Sequence, residues 1–347
     1  MSKATLHTLL KDKDWLIADG ATGTNYFANG LQAGDAPELW NIDYPDRVAS
    51  LHHDFIASGA DIILTNSFGG SSSRLKLHGS EDRVVELNQA AAGIARREAD
   101  SVDRPIIVAG SIGPTGDLIE PLGELSTEDA VNIFAQQANA LAEAGVDVIW
   151  LETMSSSEEL IAAGVGSSKT GLPVVATMTF DTKGRTMMGL SPEQLIDIYR
   201  ANMSDTIAYG ANCGVGASDL VGTMLAMRAY STDDEILVAK SNCGIPQFVD
   251  GEIIYDGTPE LMAEYACLVR DIGVRIIGGC CGTTPEHIRA MRSTLESRPA
   301  EPPPDVEKLV RLLGPLSEGA EKFYNANNQI SDGNGKRVNE SRRRRRN

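Results

Sequence analysis

The sequence predicts a (β/α)8 TIM barrel, an α/β fold, and three observations carry that expectation. Eight short runs of β-branched and apolar residues recur, each followed by a stretch with apolar residues at helical spacing. Several helical stretches end in a glycine that leads straight into the next run, as in Ser58–Gly59–Ala60–Asp61, Ala144–Gly145–Val146–Asp147 and Ile272–Gly273–Val274. Polar and reactive residues gather just past the C-terminal ends of the runs, whose interiors are Val, Ile, Leu and Ala. A barrel builds its functional face from the loops that follow its strands, so this asymmetry is what a barrel demands. A doubly wound open sheet is the alternative arrangement of the same alternation.

Taken in order, Trp15–Ala18 leads into Asp19–Gly20, and Asp61–Leu64 leads into Thr65–Asn66–Ser67–Phe68. Pro105–Ala109 precedes Gly110–Ser111–Ile112–Gly113–Pro114, and Val146–Leu151 precedes Glu152–Thr153–Met154. Pro173–Met178 runs into Thr179–Phe180–Asp181, and Thr206–Tyr209 into Gly210–Ala211–Asn212–Cys213–Gly214. Glu235–Ala239 leads to Lys240–Ser241–Asn242–Cys243–Gly244, and Val274–Ile277 to Gly278–Gly279–Cys280–Cys281–Gly282–Thr283. Between the runs, Asp46–Ser58 places Val48, Leu51, Phe55 and Ile56 on one helical face, and Ser80–Asp100 is a second helix. Ser126–Ala144 opens on a capping-box-like Ser126-x-x-Asp129. Prolines at first helical positions mark Ser191–Pro192–Glu193, Thr258–Pro259–Glu260 and Thr284–Pro285–Glu286.

The barrel is expected over residues 1–297. Residues 298–347 read as a Pro-rich linker, Arg298–Pro304, a short helix over Lys308–Leu313 and a polar tail that ends in Arg342–Arg346. A formal charge of −17 argues against a nucleic-acid or anionic-membrane surface. No apolar run is long enough to span a bilayer and the N-terminus is too polar for a signal peptide, so a cytoplasmic location is expected. There, stable disulfides are unusual, and the five cysteines read as metal ligands, nucleophiles or core residues. No G-x-G-x-x-G or Gly-Lys-Thr spacing supports a nucleotide site.

The vicinal pair Cys280–Cys281 is poorly suited to a disulfide, because a bridge between neighbours is strained. Two thiolates on a glycine-flanked turn fit a soft metal instead, and Zn²⁺ is the common choice. The third ligand is either Cys213 or Cys243, each in an Asn–Cys–Gly sequence at a strand end, and the residues alone do not choose. Cys267 lies on an apolar helical face and reads as core. Three protein ligands with one open position is the catalytic form of zinc, and a tris-thiolate site suits a substrate thiol better than water. The plainer alternative is that these cysteines are small core residues. Asp19–Gly20 and Glu152 are candidates to take the ammonium of an amino-acid substrate, with backbone N–H groups taking its carboxylate. For Asp19 the plainer alternative is a cap on the turn after it.

These residues also carry a resemblance. The chain resembles the homocysteine S-methyltransferases, which include betaine–homocysteine methyltransferase and the homocysteine-binding module of cobalamin-dependent methionine synthase. The likeness covers residues 14–295 through Asp19–Gly20 with Gly23–Thr24, Gly59–Ala60–Asp61 to Phe68, Gly110–Pro114, Glu152–Thr153, Gly210–Cys213 and Gly278–Gly282. It implies a barrel, Zn²⁺ on Cys213, Cys280 and Cys281, and homocysteine as methyl acceptor, bound by Asp19, Gly20, Glu152, Asn66 and Asn242. Asn242 matches an asparagine near the metal of the cobalamin-type modules, where it can fill the fourth position before substrate arrives. The implied reaction is attack of the homocysteine thiolate on an activated methyl group to give methionine. The donor is betaine or a related methyl donor; aromatic residues such as Trp40, Tyr26 or Phe27 would have to cage its ammonium. One alternative is a homocysteine-activating subunit that takes methyl from a separate methylcobalamin (corrinoid) protein. Another, of a different class, is a barrel that binds metal without turnover.

Overall fold

The computed structural model describes residues 5–249, 252–317 and 319–321. Eight strands form one parallel sheet: β1 (Leu16–Ile17), β2 (Ile62–Leu64), β3 (Ile107–Ile112), β4 (Val148–Met154), β5 (Val174–Met178), β6 (Thr206–Cys213), β7 (Leu237–Ser241) and β10 (Ile276–Gly279). Two further strands, β8 (Pro246–Val249) and β9 (Glu252–Tyr255), pair antiparallel in the loop after β7. The large sheet runs β1-β10-β7-β6-β5-β4-β3-β2. It closes through a parallel bridge between Ala18 and Ile62, with Asp61 N–H donating to Ile17 O at 2.7 Å and Asp19 N–H to Ile62 O at 3.0 Å. Helices join the strands, and the expected (β/α)8 TIM barrel is the observed fold.

The pleat of each strand divides its side chains between two cores. Leu16, Ile62, Leu64, Ile107, Ala109, Val148, Trp150, Val238 and Ile276 share one cluster with Leu6, Leu9 and Leu10 of the N-terminal helix Leu6–Asp12. This is the barrel interior, and the N-terminal helix plugs it. The alternate residues, such as Ile17, Ile63, Val108, Ile149, Leu237 and Ile277, join the larger cluster against the helices. The helix Pro45–Ala57 buries the face read from the sequence, Val48, Leu51, Phe55 and Ile56. Ser126 accepts a hydrogen bond from Asp129 N–H at the start of Thr127–Glu143, and Ser191 and Gln194 form a reciprocal box at Pro192–Asn202.

After the last barrel helix, Pro285–Ser297, the chain does not leave the barrel at once. Arg298 pairs with Glu264, and the helix Val306–Leu313 seats Leu309 and Leu313 in the helix-side core. Arg342–Arg346 lie outside the described residues. No helix among the described residues is long and apolar enough to cross a membrane.

Candidate metal and substrate site

The same period-two alternation that fills the barrel interior sets which residues face its mouth. Continuing inward positions by two residues turns Leu64 into Asn66, Ala109 into Ser111, Trp150 into Glu152, Val238 into Lys240, and Ile276 through Gly278 into Cys280. A cavity of about 530 Å³ opens there, lined among others by Gly20, Asn66, Glu152, Cys213, Lys240, Cys280 and Cys281.

Cys213 ends β6, and Cys280 and Cys281 follow β10 directly. Their three sulfur atoms lie within 4.8 Å of one another, the only such group of metal-ligating side chains among the described residues. Strands β6 and β10 both pair with β7, so the ends that carry the thiols are held one strand apart. Cys213 has φ 63°, a left-handed conformation that a non-glycine residue adopts only under constraint. Cys243, the competing candidate, is buried with its thiol directed to Gly257 O at 3.0 Å, away from the cluster. Cys267 is core, on the helix Pro259–Ile272.

The amides of Asn242 tie the two cysteine loops together: Nδ2 donates to Gly214 O at 2.8 Å, and Oδ1 accepts from Cys281 N–H at 3.1 Å. Asn212, fully buried, does more. Its Oδ1 accepts from Thr153 N–H at 2.8 Å and Thr177 Oγ1 at 2.7 Å, while Nδ2 donates to Thr153 Oγ1 at 2.7 Å and reaches Cys280 Sγ at 3.8 Å. Thr153 is thereby locked at φ 63°, beside Glu152. Gly20 is required for a different reason: a Cβ there would lie 2.5 Å from Thr283 O.

The thiols are protonated at neutral pH when no cation is bound. The hydrogen bond with Cys280 pulls the Cys213 pKa down, but the bond with Cys281, burial and the charge of Cys281 outweigh it and leave Cys213 at about 11. The bond with Cys213 lowers Cys281, yet its bond with Cys280 and that thiol's charge bring it to about 12. Cys280 is pushed up by its bond with Cys213 and by burial. A cation that draws on all three must therefore displace their protons. Three soft sulfur donors converging on one point suit Zn²⁺ with an open fourth position.

Next to the thiols sits a buried charge network. Lys240 Nζ is 2.9 Å from Asp19 Oδ1, and Asp19 Oδ2 accepts from Leu64 N–H at 2.7 Å. Ser111 Oγ donates to Glu152 Oε1. Burial pushes both carboxyl groups up, opposed in each case by the Lys240 charge. Burial also works against the Lys240 ammonium, but Asp19 and Glu152 outweigh it and hold it above its usual value. Lys240 thus faces two buried carboxyl groups and bonds one of them, Asp19. Both Asp19 oxygens are thus engaged, and neither Asp19 nor Asn242 is among the residues that line the cavity, whereas Gly20, Asn66 and Glu152 are. Asn66 spends its Nδ2 on Pro37 O and Asn41 Oδ1.

Sequence reasoning passed over three groups of the site. Lys240 stood in the quoted strand-end sequence without a role. Tyr255 reaches the cavity from the β8–β9 hairpin, for which the signal was Asp250–Gly251 between Phe248–Val249 and Ile253–Ile254. Phe68, Arg74 and His78 line the outer cavity with Glu38, whose buried carboxylate accepts from Gly69 N–H at 2.6 Å. Of the three aromatic residues considered for a cage, Phe27 lines the cavity; Tyr26 and Trp40 are buried against each other, 5.1 Å between ring centroids.

Methionine synthase of Mycobacterium tuberculosis is 32% identical over 299 residues, covering 81% of this chain and 24% of that protein. The chain therefore spans about a quarter of that relative's length. The homocysteine methyltransferase MmuM of Escherichia coli, in its oxidized form, matches with a TM-score of 0.70 and 22% identity over 83% of this chain and 98% of that one. Its metallated form matches with a TM-score of 0.69, covering 99% of that chain. At such identity the likeness speaks for the fold. The sequence profile of homocysteine S-methyltransferase matches residues 16–295, the whole barrel from β1 to its last helix, and the chain belongs to that family of methyltransferases.

Proposed function

We propose that the protein is a zinc-dependent homocysteine S-methyltransferase that forms methionine, with Cys213, Cys280 and Cys281 as the zinc ligands. The observation that carries this reading is the convergence of three thiols within 4.8 Å at the cavity mouth beside a buried carboxylate, Glu152. Zn²⁺ held there with a fourth position open would lower the pKa of a substrate thiol and keep it as a nucleophilic thiolate at neutral pH.

The chain's own residues do the rest. Glu152, oriented by Ser111 and by the clamped backbone of Thr153, receives the substrate ammonium in a cavity where the charge pair is little screened. Asp19 lies beneath and orients Lys240. Gly20 and Asn66 shape the wall, and Asn242 holds the cysteine loops at their spacing. Methyl transfer forms one S–CH3 bond and breaks the donor's bond from methyl to its onium atom, whose electron pair stays with the departing donor. The donor we assign is betaine or a related onium compound: Phe27, Phe68 and Tyr255 put aromatic rings on the cavity lining to meet its cation, and Arg74 and His78 put N–H donors there to meet a carboxylate.

A second reading is favoured by the likeness to one quarter of a methionine synthase. In it the chain activates homocysteine for a separate methylcobalamin protein. The barrel over residues 1–297, extended by the helix Val306–Leu313, is the unit we assign to either activity. Purified protein, loaded with zinc and supplied with homocysteine, is to be assayed with betaine, a methylsulfonium donor and a methylcobalamin protein in turn. Methionine formed from betaine alone supports the first donor reading; formation only with the corrinoid protein supports the second. No methionine from any donor, with zinc bound, would leave the metal-binding barrel as the description.

A further inference from the structure

We propose that Lys240 recognises the α-carboxylate of the amino-acid thiol, and so makes the site selective for a zwitterion. The inference rests on the homocysteine reading above and adds a residue that composition and motif spacing leave without a role.

Three observations carry it. Lys240 is 2% exposed and yet is among the residues that line the cavity a substrate would fill. A buried lysine is costly unless it is paired, and among the described residues this one makes a single hydrogen bond, to Asp19 Oδ1; the face of Trp150 lies 5.5 Å away at its ring centroid. An ammonium has three donors, so two remain for a ligand. Lastly, two buried carboxyl groups, Asp19 and Glu152, act on the one Lys240 ammonium. Asp19 is consumed by Lys240 and by the Leu64 amide, which leaves Glu152 for the ammonium of the substrate. A ligand with one ammonium and one carboxylate on adjacent bonds meets both Glu152 and Lys240. A ligand with only the carboxylate leaves Glu152 without its partner, and one with only the ammonium leaves the remaining Lys240 donors unused.

Thiols that differ from homocysteine by one group test this directly. 3-Mercaptopropylamine lacks the carboxylate, and 4-mercaptobutyrate lacks the ammonium. With the zinc-loaded enzyme and a donor that works, the wild type is expected to prefer homocysteine over both in kcat/KM, and in Kd by calorimetry. In Lys240→Met the preference over 3-mercaptopropylamine should fall by about tenfold or more, the scale of a lost charged hydrogen bond. The preference over 4-mercaptobutyrate should persist, because Glu152 is untouched. Lys240→Gln, which keeps a donor for Asp19, serves if the methionine variant does not fold, with the same expectation.

The proposal is overturned if the variant weakens homocysteine and 3-mercaptopropylamine equally, as a purely structural role would. It is also overturned if only the KM of the methyl donor changes. A wild type that binds none of the three thiols contradicts the homocysteine reading itself. A wild type that discriminates while the variant discriminates equally well contradicts only the assignment of Lys240.

Discussion

Asn212 shows how much one buried amide can hold. Its four contacts join the thiol side of the site to the backbone that presents Glu152. Asn212→Asp keeps the acceptors for Thr153 N–H and Thr177, loses the donors to Thr153 Oγ1 and Cys280 Sγ, and adds a negative charge beside the thiols. Such outer contacts are worth about 10–100-fold in metal affinity, so zinc Kd by chelator competition is expected to weaken by that range with the fold intact. An unchanged Kd would reduce Asn212 to a packing residue. Far from the site, His52 is buried and burial depresses its pKa from 6.5 to about 4. The unfolded chain therefore takes up a proton below pH 6.5 that the folded chain refuses, and stability falls as pH drops from 6.5 toward 4. The loss amounts to about 3 kcal/mol across that window. Denaturant unfolding of wild type and His52→Leu should diverge as pH is lowered through it, with the variant losing less.

At the scale of elements, the strands were legible because period-two burial and glycine stops leave a plain mark in the sequence. The positions of Asn66, Glu152, Cys213, Cys280 and Cys281 at strand ends were legible for the same reason. Lys240 was not, because a lysine after an apolar run looks like a strand leaving the core; only the strand order β1-β10-β7 brings Asp19 across β10 to pair with it. Cys213 and Cys243 were indistinguishable by spacing, and the direction of the Cys243 thiol toward Gly257 separates them. Tyr255 depended on a hairpin whose two short strands carry a weaker pattern than the barrel. Val306–Leu313 looked like a helix in a linker, but its Leu309 is fully buried. Leu309→Ala should therefore destabilise the protein by about 2–5 kcal/mol, as a core truncation does. A thermal midpoint equal to wild type would make the helix a loosely attached appendage.

On the scale of the whole molecule, the barrel supplies a dry interior at one end and a reactive mouth at the other. The N-terminal helix closes the bottom with Leu6, Leu9 and Leu10. The mouth gathers three thiols, Glu152 and Lys240 into one cavity. Because burial and mutual hydrogen bonding keep the thiols protonated, zinc loading of the metal-free protein should release close to three protons per ion near neutral pH. Calorimetry in buffers of different ionisation enthalpy reads that number, and Cys281→Ala should lower it. The central claim is that these thiols leave a coordination position for the sulfur of homocysteine. X-ray absorption at the zinc edge, with and without homocysteine, tests it most directly. The account predicts three sulfur neighbours that become four when homocysteine is added; a sulfur shell that stays unchanged would contradict it.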